Sequence, residues 1–334
     1  MAIVIASIVL VVVALGGIGY GIYQNYYNKM NVEESYVRTE LGRGMRRILE
    51  GDSGTLMWAE HVYNVLLIGQ DNYRDDGSTH SDAMILVSIN EHTEEIVLTS
   101  LMRDSWVHIP GYGAERLNEA INQGGPELLM ETIEMNFGVR VDNYVMIDFF
   151  AFIDVVDALG GVEIEITEEE LPVLNNPYLA HINYMLGRPK QQDWLETSGI
   201  NHLNGAQALA YARIRYLEGA DFARTERQRK VLDSIFEGVR NCSLGEMKTL
   251  LDAVLPYVTT DVSSERLLSL VMDFVAQYRD YEMVQYRVPY DGSYSGWIHE
   301  LTGEEKNVLS IDIEANSVYM IQNIYGVNIL EEEE

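Results

Sequence analysis

Three nearly unbroken apolar runs lie close together in the chain: NVLLIG at residues 64–69, AMILVSI at 83–89 and IVLTSL at 96–101. Continuous apolar stretches of this length, bounded by polar turns such as NEHTEE, predict buried strands. The residues around them predict helices. One spans Pro126–Phe137, with Pro126 in its first turn and Gly138 at its end. Others cover Phe149–Leu159, Asn204–Tyr211, Asp221–Arg240, Ser264–Gln277 and Ile313–Tyr325. Further strands fall at Asn143–Asp148, Val162–Ile166, Glu282–Val288 and Val308–Ile311. Such a mixture belongs to the α/β class, and the expectation is a three-layer α-β-α domain around a mixed sheet.

The first residues predict an element of another kind. From Met1 to Asn28 there is no Lys, Arg, Asp or Glu, and Ala2–Tyr20 is almost wholly apolar. About 20 such residues cross a ~30 Å hydrocarbon core as a helix. Tyr20, Tyr23, Tyr26 and Tyr27 follow, as an interfacial aromatic belt would. No clear small-x-small cleavage site comes next, so the expectation is one N-terminal transmembrane helix acting as a signal anchor. Lys29, Arg38, Arg43, Arg46 and Arg47 come after this span. By the positive-inside rule alone they would leave the bulk of the chain in the cytoplasm. The orientation expected here is the opposite, with a native start upstream that supplies basic residues.

Charge excludes one class of partner. With 23 Lys+Arg against 52 Asp+Glu, a formal net charge of −29, the chain repels nucleic acid backbones. The single cysteine, Cys242, excludes an intrachain disulfide and any multi-cysteine metal site.

If the second apolar run is antiparallel to both neighbours, the end of the first, the start of the second and the end of the third share one sheet edge. Asp71, Asp82 and the pair Arg103-Asp104 stand at those places, and the loop QDNYRDDGSTHSD adds Asp75 and Asp76. Two carboxylates held by a hairpin, without thiols or a histidine pair, suit a hard cation such as Mg²⁺. A merely solvated acidic loop is the rival reading, which composition alone favours.

A second cluster runs against the overall charge. Residues 208–229 (ALAYARIRYLEGADFARTERQR) hold Arg213, Arg215, Arg224, Arg227 and Arg229. In a helix capped by Asp221, positions 224, 228, 231 and 235 share one face. Val231 and Ile235 make it the core face and turn Arg224 and Gln228 inward. Arg227, three residues from Arg224, can flank the same space. Arginines in a first helical turn oppose the helix dipole, and they make sense where the helix N-terminus helps hold an anion. Ion pairs with Glu218, Asp221 and Glu226 are the alternative. Phosphate or pyrophosphate with Mg²⁺ accounts for both clusters together.

The stretches NVLLIGQD…HSDAMILVSIN, IVLTSLMRDSWVHIP, RLNEA, DALGGVEI, LNGAQALAYARIR and DFARTERQRKVL occur in this order. Over residues 61–240 they resemble the successive motifs of the LytR–CpsA–Psr (LCP) family of membrane-anchored cell-wall glycopolymer ligases. The resemblance implies a phosphotransferase, displayed outside the membrane, that moves a teichoic acid or capsular polysaccharide from a polyprenyl-pyrophosphate carrier to peptidoglycan. It implies Mg²⁺ on Asp71 and Asp82. It also implies pyrophosphate held by Arg103, Arg213, Arg215, Arg224 and Arg227, with Gln228 beside them. His80 stands where the family usually has arginine, two residues before the second aspartate, and lacks the guanidinium fork. Either Arg74 substitutes from the loop beside His80, which can itself give pyrophosphate one donor or one charge, or pyrophosphate is held more weakly and with more pH dependence. Arg103 would meet charge on the transferred group, and Asp104 would either serve as base for the acceptor hydroxyl or order Arg103. A hydrolase or a non-catalytic lipid-glycan sensor would use the same site.

The expected organisation is an anchor at 1–28, an amphipathic connector at 29–60, a catalytic core at 61–240, C-terminal helices and strands at 241–330 completing or flanking that core, and an acidic tail at 331–334. Residues 168–200 match no motif and read as a surface excursion, a lid or an acceptor loop.

Overall fold

The structure is a computed structural model describing residues 31–32, 56–71, 80–215, 217, 220–241, 255–263, 265–266, 269–270, 273, 277–297 and 308–327. The expected anchor, most of the connector, Arg74, Cys242, most of the expected 264–277 helix and the acidic tail lie outside the described residues. Among the described residues, no helix is long and apolar enough to cross a membrane.

In chain order the main elements begin with strands β1 (Val62–Asp71), β2 (His80–Asn90), β3 (Glu95–Leu101), β4 (Trp106–Ile109) and β5 (Gly113–Arg116). Helix α1 (Glu119–Phe137), strand β6 (Asn143–Ile147), helix α2 (Phe149–Ala158) and strand β7 (Val162–Ile166) follow. Next come α3 (Glu170–Val173), a π-helical turn (Leu174–Leu179), α4 (Ala180–Met185), β8 (Gly199–Leu203), α5 (Gly205–Ala212) and α6 (Ala220–Asn241). The chain ends with β9 (Glu282–Val288), β10 (Tyr294–Trp297), β11 (Leu309–Ile311) and α7 (Ile313–Tyr325). These elements form two compact units. One, here the sheet unit, comprises Glu33–Val145, Thr260–Val262 and Asp280–Glu334. The other, the helical unit, comprises Met1–Val32, Met146–Thr259 and Ser263–Arg279.

In the sheet unit the three apolar runs form a meander, β1 antiparallel to β2 and β2 antiparallel to β3. Leu66, Leu67, Ile68, Leu86, Val97 and Leu98 are fully buried, which is why the runs do not alternate with polar residues. Each such side chain contributes roughly 1.5–3 kcal/mol of burial free energy. The turn after β2 is set by Asn90, whose side-chain oxygen accepts from the backbone N–H groups of His92 and Thr93. β9 pairs in parallel with β3 and makes the sheet mixed, so residues 282–288 complete the sheet begun at residue 62.

Two helices pack on this sheet. α1 begins earlier than the sequence suggested: Glu119 opens it, and Gly124 and Gly125 break it before Pro126 restarts the helix. Gly125 takes φ 73° and ψ −167°, a conformation essentially reserved for glycine. Gly138 ends α1 in the left-handed region, as expected. α7 is fastened through Ser317, whose hydroxyl donates to the Phe137 carbonyl at 2.6 Å, and through Asn90, which donates to the Ile324 carbonyl at 2.9 Å.

The helical unit is assembled around α2, α5 and α6. Asp148 caps α2 by accepting from the Phe150 and Ala151 N–H groups. Asn204 and Gln207 form a capping box at the start of α5. Gly205 is the close-approach point between α2 and α5: a Cβ there would lie 2.3 Å from the Ile153 carbonyl oxygen. Its N–H donates to Asp157 at 2.7 Å. Val231, Leu232, Ile235, Phe236 and Val239 form the buried face of α6.

Within residues 168–200 the stretch 170–183 is packed rather than a surface excursion, while 184–200 hold no buried residue. Leu174, Leu179, Ala180, Ile182 and Asn183 are buried, and the entry to α3 is a reciprocal cap. There Thr167 N–H donates to Glu170 Oε2 at 3.0 Å, while Glu170 N–H donates to Thr167 Oγ1 at 3.1 Å. TEEE at 167–170 carries that signal in the sequence.

Candidate functional site

The expected sheet edge forms. On β1 and β2, Asp71 pairs with His80 at the open end of the ladder. Register shifts between Gly69 and Gln70: Gly69 faces Ala83 but Gln70 faces Ser81, so Asp82 is the extra residue of a β-bulge. The β2–β3 ladder ends at Met84–Leu101, two residues short of Asp82 on one strand and of Arg103 on the other. The backbone thus brings Asp71, Asp82 and Arg103-Asp104 to one edge of one unit. The side chains of Asp71, His80 and Asp82 lie outside the description. Among the described residues there is no group of three or more His, Cys, Asp or Glu side chains that would hold a metal. Two hairpin carboxylates, one of them at a bulge that re-aims its strand, are a donor set suited to Mg²⁺, which commonly takes one or two carboxylates plus substrate oxygens.

The Arg103–Ser105 turn is pinned from three directions. Met102 N–H donates to the Val288 carbonyl of β9, Leu309 N–H to the Asp104 carbonyl, and Asn118 N–H to the Arg103 carbonyl, at 2.9, 2.8 and 3.1 Å. The hairpin of β4 and β5 delivers a further cation there. Arg116 NH1 lies 3.8 Å from Asp104 Oδ1, and Arg103 Nε lies 3.4 Å from Asp104 Oδ2. Arg116 also pairs with Glu119. Asp104 is only 5% exposed and sits between two guanidinium groups, which suits a residue that orders Arg103. Arg116 opens the motif RLNEA, so its signal was present, but its spatial role follows from a hairpin that closes only on folding.

The helical unit holds the second cluster. Helix α6 starts at Ala220, so Asp221 lies one residue inside it, within the ordinary uncertainty of helix ends. Arg224 and Arg227 are both 7% exposed, while Gln228 and Arg229 are partly exposed. Arg227 Nε donates to Glu170 Oε1 at 2.7 Å, and its NH1 donates to the Ile214 carbonyl at 3.3 Å. Arg227 therefore braces the Arg213–Arg215 turn from below. Arg215 N–H donates to the Tyr178 hydroxyl at 2.7 Å, and the Arg213 guanidinium lies 4.4 Å from the centre of the Phe149 ring. Of the carboxylates near this cluster in sequence, Glu226 pairs with Arg229, whereas Arg227 takes its carboxylate from Glu170; Glu218 and the Asp221 side chain lie outside the described residues. Burial, then the Glu170 carboxylate, push the Tyr211 phenol well above its usual range, so a neutral hydroxyl borders this ion pair.

Around the start of α2, Val145, Ile147, Phe149, Phe152, Ile153 and Val156 are buried, and Phe150 is intermediate.

A mixed sheet with flanking helices defines an α/β protein; in one unit a sheet edge bears an arginine turn, and in the other a helix start bears arginines. The LytR_cpsA_psr family model matches residues 26–317, and the chain belongs to that family. A relative from Enterococcus faecalis named as the polyisoprenyl-teichoic acid–peptidoglycan teichoic acid transferase TagU is 29% identical over 279 residues, covering 82% of each chain. Among solved structures, TagT bound to LI-WTA aligns with TM-score 0.62 and 25% identity over 88% of this chain and 100% of that one. TagT with bound octaprenyl pyrophosphate lipid aligns with TM-score 0.58 and 25% identity, over the same shares of the two chains.

Proposed function

We propose that this protein is a phosphotransferase that moves a glycopolymer of teichoic acid or capsular type from a polyprenyl-pyrophosphate carrier to peptidoglycan on the outer face of the membrane. The observation carrying this reading is the Arg103-Asp104 turn, fixed by three backbone hydrogen bonds at the sheet edge that also bears Asp71 and Asp82. A hydroxyl oxygen of the acceptor sugar attacks the phosphorus nearer the glycan. The new O–P bond forms as the bond to the bridging oxygen breaks, polyprenyl phosphate leaves, and the hydroxyl proton passes to solvent or a nearby carboxylate. Such transfers depend mainly on positioning and charge neutralisation.

Asp71 and Asp82 would hold Mg²⁺, which when bound offsets pyrophosphate charge. Arg213, Arg215 and Arg224, with Gln228, would take the pyrophosphate oxygens, and Arg227 would keep the 213–215 turn in place. Arg103 would meet the charge that builds on the transferred phosphoryl group, held at its angle by Asp104 and Arg116. Full-length protein in detergent, given a polyprenyl-pyrophosphate glycan and peptidoglycan strands, is expected to release polyprenyl phosphate and label the strands. Arg103→Ala is expected to lower that turnover by ~100-fold or more. Release that proceeds without acceptor and yields free glycan phosphate would identify a hydrolase instead. An unchanged rate in Arg103→Ala would remove its assigned role.

A further inference from the structure

Away from the arginine turn, the sheet unit carries a groove of about 510 Å³ between the segment after β9 and the first turns of α7. Tyr290 and Tyr319 form one wall, their ring centroids 4.7 Å apart and their planes tilted by 33°. Tyr286 supports this wall edge-on, 5.8 Å from Tyr319. Asp312, Glu314, Val318 and Gln322 contribute to the rest of the lining. The charged side chains in it are both carboxylates, and Glu314 is exposed.

The sign of that charge selects among ligands. A polyanionic phosphate polymer is repelled by two carboxylates, and among the described residues nothing in the lining offers a cation to offset them. A purely aliphatic chain would leave the carboxylates facing hydrocarbon, which is costly. An uncharged saccharide satisfies both kinds of surface: its C–H faces lie on tyrosine rings, and its hydroxyl and amide N–H groups donate to carboxylate oxygens.

The groove is also tied to the candidate catalytic turn within the same unit. Leu309 N–H donates to the Asp104 carbonyl, and β11 runs from Leu309 to Ile311, immediately before Asp312. Met102 N–H donates to the Val288 carbonyl, two residues before Tyr290. Both walls of the groove thus lead by a few residues of backbone to the Arg103-Asp104 turn.

We propose that this tyrosine-walled, acidic groove binds uncharged sugar units of the acceptor glycan, resting on the transferase reading above for its place in the reaction. The donor, which carries pyrophosphate, is excluded from it by charge, so the two substrates are sorted by sign.

The test uses full-length protein in detergent and chitohexaose, a neutral oligomer of N-acetylglucosamine, with binding followed by titration calorimetry. Wild-type protein is expected to bind, and Tyr319→Ala to bind about tenfold more weakly through loss of the stacking face. Val318→Trp, which fills the groove and leaves its tyrosines in place, is expected to abolish binding. Glu314→Ala, on an exposed turn, is expected to weaken binding severalfold and serves if Tyr319→Ala does not fold. In the transfer assay the same substitutions are expected to raise KM for peptidoglycan strands rather than for the lipid donor. No binding of chitohexaose by wild type, or wild-type affinity in folded Val318→Trp, overturns the groove. Wild-type protein that binds chitohexaose but never releases polyprenyl phosphate overturns the transferase reading alone and leaves the saccharide site standing.

Discussion

Glu170 is the most exacting place to test how the helical unit is held. Its Oε1 accepts from Arg227 Nε at 2.7 Å and its Oε2 accepts from Thr167 N–H at 3.0 Å, while both Glu170 and Arg227 are 7% exposed. Glu170→Ala strands a buried guanidinium and removes half of a capping box. Breaking one side of a buried ion pair costs about 3–5 kcal/mol, and loss of the cap adds about 1 kcal/mol. Glu170→Gln keeps an acceptor oxygen and is expected to cost about 2 kcal/mol, the worth of a charged hydrogen bond. At roughly 2–4 °C per kcal/mol for a unit of this size, Glu170→Ala should lower the melting transition by roughly 8–24 °C. Because the chain has two compact units, calorimetry should be paired with hydrogen exchange, which reports each separately. Exchange at Ile214 and Arg215 should rise, since Arg227 braces the Ile214 carbonyl and the Arg215 N–H bonds Tyr178 from the same packed segment. A loss below 1 kcal/mol, or unchanged exchange across 213–215, would refute the claim that this pair organises the arginine turn.

Other consequences are as definite. Gly205→Ala should destabilise by about 1–3 kcal/mol, because a Cβ would stand 2.3 Å from the Ile153 carbonyl oxygen; melting of the variant checks it. Asp104→Asn should reduce turnover about tenfold with the pH–rate profile unmoved if Asp104 orders Arg103, whereas loss of the acidic limb in that profile would mark it as the general base. Tyr325 donates to the Met57 carbonyl at 2.8 Å, and burial pushes its phenol up to about 12. A phenol is charged only when deprotonated, so a raised folded value stabilises fully below the unfolded value near 10 and ceases to as pH rises through 12. About 3 kcal/mol should be lost over that window, and Tyr325→Phe should flatten that part of the stability curve; parallel curves would refute it.

Much of the sheet unit was legible because its information is local. A continuous apolar run is a buried strand wherever it lies, and β1, β2 and β3 each contain the run that predicted them. α7 fell at its expected bounds for a similar reason: Asp312 caps it by accepting from Ala315 N–H, and Gly326 ends it. The hairpin of β4 and β5 was missed because four-residue strands carry too little periodicity to stand out. The packing of residues 170–183 was not legible because a polar composition conceals their buried residues and cap, whereas 184–200 lie at the surface as expected. In the site, the sheet edge with Asp71, Asp82 and Arg103 followed from strand direction, and the arginine-rich start of α6 followed from charge.

By itself, then, the sequence determined which residues could be strands, which could grip an anion, and to what family the motifs belong, since those properties reside in side-chain type and short-range spacing. Only the tertiary structure decided the partners. Arg116 meets Asp104 across a hairpin, Arg227 meets Glu170 across 57 positions of chain, and Tyr290 meets Tyr319 beside a groove. Which charge neutralises which is a matter of distance in space, and chain spacing does not encode it until the elements have packed.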